Sequence, residues 1–191
     1  MLSFRPQAYG PVVAALIQDA RLNELGPGET EPKQHAALAV LTPEQIVAPH
    51  SLRSRDMALA CVSGLWLRHD YLDESHRISQ DLENPTGSFW HGIMHRREPD
   101  FHNAKYWFRR VGPHPIFDAL NRSAQQLAAE AQAGPAAQFL QEQSSWDAIK
   151  FVDLCELALD EAPLIHTLCM KIQRCEWELL FDYCYAQAVD D

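Results

Sequence analysis

Apolar residues recur at three- and four-residue steps through most of the chain, and the period-two alternation of strands is almost absent. This spacing predicts helices packed on helices, an all-α fold. The first helix is expected from about Val12 to Leu25, where Gly26-Pro27-Gly28 ends it. A polar loop follows, punctuated by Pro32, Pro43 and Pro49 up to Ser51. From Arg55 to Leu67 the run Met57, Leu59, Ala60, Leu65, Trp66 carries few charges, which predicts a helix buried in the middle of the bundle.

Asp70 is read as the N-cap of a helix from Tyr71 to about Leu82, closed by Asn84-Pro85-Thr86-Gly87. Ser88 to Arg97 forms the next helix, and Pro99 stops it by holding Glu98 away from helical angles. Asp100 caps a helix from Phe101 to Val111, which Gly112-Pro113-His114-Pro115 breaks. Residues 88–111 therefore form an αα-hairpin with a very short turn. Three more helices are predicted at Ile116 to Ala133, Trp146 to Ala162 and Leu164 to Ala188, the last with Leu168, Ile172, Cys175, Leu179 and Cys184 at core spacing. The architecture expected is one irregular helical bundle, a single all-α domain spanning 1–191.

Composition fits that picture. A chain of 191 residues suits one core, and no run of roughly 18 apolar residues is present to cross a bilayer. The apolar stretch Pro11 to Ile17 is too short for a signal peptide and runs into Gln18, Asp19 and Arg21. Sixteen basic and 26 acidic residues give a formal charge of −10, which repels nucleic-acid backbones and anionic membranes. Five cysteines, odd in number and without a Cys-x-x-Cys pair, suggest neither a disulfide framework nor a cysteine zinc site, and a reducing cytoplasm is the expected compartment.

The chemistry concentrates in one stretch, where His76, His91, His95, His102 and His114 crowd together. At about 100° per residue, His91 and His95 lie within about 40° of each other on one helix face, and Glu98 joins them if the last turn stays helical. Trp90, Ile93, Met94 and Arg97 fall on the other side. On the preceding helix Asp73, His76 and Gln80 share a face. If these two helices pack antiparallel, His76 looks across at His91 and His95. Two imidazoles at i and i+4 can reach one ion, and a third ligand makes a zinc or iron site. The expectation is a divalent metal held by His76, His91 and His95, with Glu98, Asp73 or Asp100 as carboxylate partner or base.

Other readings remain open from the residues alone. The histidines can cap turns or pair with carboxylates, or His91 or His95 can serve as a metal-free general base. Arg96, Arg97, Arg109 and Arg110 make a basic patch in an acidic chain, and the arc His102, Lys105, Tyr106, Arg109 opposes an apolar arc of Phe101, Ala104, Trp107, Phe108 and Val111. Arg96, Arg109, Tyr106, His102 and His114 are thus the expected binding residues for a small anionic molecule. No Gly-rich phosphate loop, Gly-x-Ser-x-Gly elbow or dinucleotide fingerprint occurs.

The block Trp90-His91-Gly92-Ile93-Met94-His95-Arg96-Arg97-Glu98-Pro99-Asp100-Phe101-His102-Asn103-Ala104-Lys105-Tyr106-Trp107-Phe108-Arg109-Arg110 resembles the signature of an uncharacterised protein family. The similarity runs from about Leu65 to His114, with a second echo at residues 176–182. It implies a site at this place and no particular reaction. More weakly, Asp100 to Phe108 is similar to the second helix of Sel1-like and tetratricopeptide repeats, although no period near 34 residues recurs along the chain. Two function classes follow: a metal-assisted enzyme acting on a small anionic substrate, or a helical protein that recognises an acidic ligand or partner without turnover. The separation of the His76 and His91 rings decides whether the metal site is geometrically possible.

Overall fold

The computed structural model describes residues 4–18, 21–132, 134–161 and 163–190, with the backbone alone at 160 and 161. Eleven helices follow one another among the described residues: α1 (Gly10–Ile17), α2 (Pro32–Ala39), α3 (Pro43–Val47), α4 (Arg55–Arg68), α5 (Leu72–Ser79), α6 (Pro85–Arg97), α7 (Phe101–Val111), α8 (Phe117–Ala131), α9 (Phe139–Glu142), α10 (Ala148–Glu161) and α11 (Pro163–Ala188). The fold is all-α.

The longest helix, α11, packs against α4, α8 and α10 and buries Leu168, Ile172, Trp177, Leu180, Phe181 and Cys184. Helix α4 pairs in turn with α5, α5 with α6, and α6 with α7, while α10 closes over α7. The α6–α7 hairpin is close because Gly92 offers no side chain. A Cβ there would meet the Phe108 ring at 3.1 Å. Every residue of α6 from Thr86 to Arg97 is buried, so the helix lacks the solvent-facing side that its histidines and arginines suggested. His76 from α5 and Trp107 from α7 cover one flank, and α4, α10 and α11 cover the rest.

Three arginines lie in this interior. Arg96 pairs with Glu176 and also donates to Gln173 Oε1. Arg97 pairs with Asp70 and donates to the carbonyls of Gly26, Pro27 and Leu67. Arg68 reaches the Arg21 carbonyl and Asn23 Oδ1 at 2.8 and 2.9 Å.

These ion pairs explain the departures from the sequence reading. The first helix stops at Ile17, not Leu25, and residues 19 and 20 lie outside the described residues. Residues 21–24 belong to no helix, and their carbonyls serve other side chains: Arg68 and Arg174 both donate to the Arg21 carbonyl, and Gln173 donates to those of Asn23 and Glu24. Asp70 is not an N-cap. It sits at φ 66° with its carboxylate turned to Arg97 and Asn23, and Tyr71 precedes α5 without a side-chain cap. The predicted helix ends at 133 and 162 lie outside the described residues. The proline-punctuated loop contains α2 and α3, each begun by a proline at its first turn, and α3 is fixed by a capping box between Thr42 and Gln45.

Candidate metal centre

The turn between α5 and α6 creates the site. Asn84 accepts from the Gly87 amide at 2.9 Å and Pro85 starts α6 without needing a donor. The chain returns so tightly that a Cβ on Gly87 would stand 2.2 Å from the Leu82 carbonyl oxygen. With the two helices folded together in this way, His76 faces His91 and His95. Ring centroids are 4.6 Å apart for His76 and His91, 5.4 Å for His76 and His95, and 4.8 Å for His91 and His95. One ligand nitrogen from each ring lies within 4.8 Å of the other two. A tetrahedral zinc at about 2.1 Å from each nitrogen needs them about 3.4 Å apart, inside the 4.8 Å within which all three lie.

Hydrogen bonding aims the ligand atoms. Glu98 Oε2 stands 3.0 Å from His95 Nδ1, which assigns the His95 proton to Nδ1 and leaves its Nε2 lone pair free. Two groups compete for that lone pair, His91 Nε2 at 3.0 Å and Asn103 Nδ2 at 3.0 Å. If His91 donates from Nε2, its Nδ1 is a bare acceptor, and this buried atom makes no hydrogen bond of good geometry. The nearby Ser79 backbone favours the charged ring, last among the influences on it. Burial, followed by the charges that His95 and His76 would carry, pushes the His91 pKa down to about 3. Burial also lowers that of His95, against the pull of Glu98. Both imidazoles are therefore neutral near pH 7, the form that binds metal without first losing a proton.

Helix α7 forms the wall. Trp107 stacks on His91 with centroids 3.9 Å apart and an interplanar angle of 21°, and the Arg110 guanidinium lies 5.2 Å from the Trp107 ring. Asp100 caps α7 through the Asn103 amide at 3.1 Å, which positions Asn103 over His95.

The structure thus brings together His76, His91, His95 and Glu98, with Asp100 acting on His95 through its charge. The other expected residues lie elsewhere. Asp73 is exposed, a turn before His76 on the solvent side of α5. Arg96, expected to hold an anion, is sealed against Glu176 in the core and is unavailable to any ligand. His114 is buried in a ring pocket of Phe89, Phe117 and Tyr183, with Thr86 Oγ1 3.3 Å from its Nε2, so it shapes the core and does not face the cluster. His102 and Arg109 are exposed on the outer side of α7, and Tyr106, half-exposed there, accepts from Arg110 at 3.4 Å. Asn103 and Trp107 are the site residues that sequence reasoning missed. Their i, i+4 spacing on α7 was the available signal.

Comparison with known proteins returns no match: no family profile, no curated protein and no solved structure is similar to this chain. Among the described residues, no helix is long and apolar enough to cross a membrane.

Proposed function

We propose that the protein binds one divalent transition ion, zinc or iron, through His76, His91 and His95, and that the ion activates water for hydrolysis of a small anionic substrate. One observation carries this reading: three imidazoles from two helices place ligand nitrogens within 4.8 Å of one another. Three protein ligands leave a fourth position for water, the arrangement of catalytic zinc sites, where the ion lowers the pKa of that water toward neutrality. Glu98, half-exposed beside His95, stands where it can take the water's proton or hold His95 in its ligating tautomer. Arg110, one ring away from His91 across Trp107, supplies positive charge on the side from which an anion would approach.

The burial of His91 and His95 favours a second reading, in which the same ion only braces α5 against α6. Elemental analysis of untagged protein offered zinc, iron and manganese tests the shared premise. One ion per chain is expected, and none in the His91→Ala/His95→Ala variant; wild type without a stoichiometric ion overturns both readings. Cobalt substitution separates them. An open position gives visible bands that shift when a small anion such as azide is added, and bands indifferent to anions would leave only the bracing role.

A further inference from the structure

A cavity of about 600 Å³ lies elsewhere, between the N-terminal segment, α8 and α11. None of the histidines lines it. Its size falls within the range of small-molecule sites, which are typically apolar pockets with a few convergent polar groups. The apolar part is built by Phe4, Ala8, Ala119 and Leu179, with the Phe4 ring braced at 5.3 Å on Tyr9 and 5.7 Å on Trp177.

The charged groups around it are unevenly satisfied. Both carboxylates on the wall are engaged: Glu178 accepts from Arg174 Nε at 2.5 Å, and Asp182 accepts from the Tyr9 hydroxyl at 3.0 Å. The guanidiniums of Arg5 and Arg122, at the mouth, have no hydrogen-bond or ion-pair partner among the described residues. In a chain of net charge −10 with many carboxylates available to pair with them, two uncommitted guanidiniums beside an apolar hollow are a recognisable feature. Guanidinium is the side chain best suited to hold a carboxylate or phosphate in two parallel hydrogen bonds.

We infer that this cavity binds an amphipathic organic anion, its aliphatic or aromatic body against Phe4 and Leu179 and its acidic head on Arg5 and Arg122. The site is independent of the metal centre and stands whether or not an ion is bound there. Head and body must both contribute. An anion without an apolar body gains only exposed ion pairs, which are weak, and an apolar body without the anion leaves the guanidiniums unmatched.

Calorimetric titration of the full chain with decanoate, decanol and acetate tests this. Decanoate is expected to bind one per chain, with decanol at least tenfold weaker and acetate undetectable. The Arg5→Ala/Arg122→Ala variant should weaken decanoate at least tenfold and leave decanol unchanged, and because both side chains are exposed its helix content should match wild type. Location is read at Cys175, the half-buried thiol that lines the cavity: bound decanoate should slow its alkylation by iodoacetamide. The inference is overturned if decanoate fails to bind, if decanol binds as tightly, if the double variant retains full affinity, or if decanoate leaves Cys175 labelling unchanged.

Discussion

Helix α6 carries two pairs of buried basic side chains one turn apart, and the fold treats them in opposite ways. Arg96 and Arg97 are each met by a carboxylate, Glu176 and Asp70, with Gln173 and three backbone carbonyls filling most of the remaining donor positions and Arg96 Nε alone unmatched. His91 and His95 stand Nε2 to Nε2, with Glu98 and Asn103 on His95 and the buried His91 Nδ1 left over. A paired guanidinium is finished and holds structure. An imidazole pair with a surplus lone pair has room for the cation proposed above. Burial alone does not separate these roles, since all four residues are at most 6% exposed. The partner does: each guanidinium meets a carboxylate, whereas His91 meets another imidazole.

The contrast is broken most severely on the arginine side. Glu176→Ala should strand the Arg96 charge in the core and destabilise the protein by about 3–5 kcal/mol in chemical denaturation. A loss below about 1 kcal/mol would mean that Arg96 reaches water in solution.

Next comes the histidine side. Zinc at a hundredfold excess over its Kd should raise the unfolding free energy by about 2.7 kcal/mol. Chelator should reverse the gain, and His91→Ala/His95→Ala should show none.

The third effect comes from His114, a buried imidazole outside the metal centre. Burial lowers its pKa from the ordinary 6.5 to about 4 in the folded state, so the unfolded chain binds its proton more readily. The stability it supports is complete above about pH 6.5 and is lost as pH falls toward 4, on the order of 3 kcal/mol. His114→Phe should flatten the stability profile across that window, and an unchanged slope would assign the acid sensitivity to other groups.

The smallest effect belongs to Glu98→Gln. Removing the charge that orients His95 should weaken zinc about tenfold with little change in the stability of the metal-free protein. Equal affinity would reduce Glu98 to a surface partner.

Local signals made much of this legible before any coordinates. Helix α7 begins and ends where Asp100 and Gly112 place it, because a capping side chain and a glycine at φ 62° act within one turn. The convergence of His76 on His91 was also readable, since Asn84, Pro85 and Gly87 permit only a short return. What escaped depends on distant partners. Nothing near Arg96 in sequence announces Glu176, 80 positions away, which turns an apparent ligand-binding arginine into a core ion pair. The non-helical stretch that begins at Arg21 is held by Arg68, 47 positions away. Trp107 was assigned to the apolar arc of α7 because its true contact, the face of an imidazole, looks from sequence like any other core packing.

That contact has a practical consequence. The Trp107 indole lies flat on a proposed ligand at 3.9 Å, so its fluorescence reports directly on whatever occupies the neighbouring imidazoles. Copper or cobalt at His91 should quench this emission and zinc should not, and the Trp107→Phe variant should lose the response. With an ion in the proposed site, Trp107 would serve as an optical gauge of occupancy, readable in a cuvette without label or substrate.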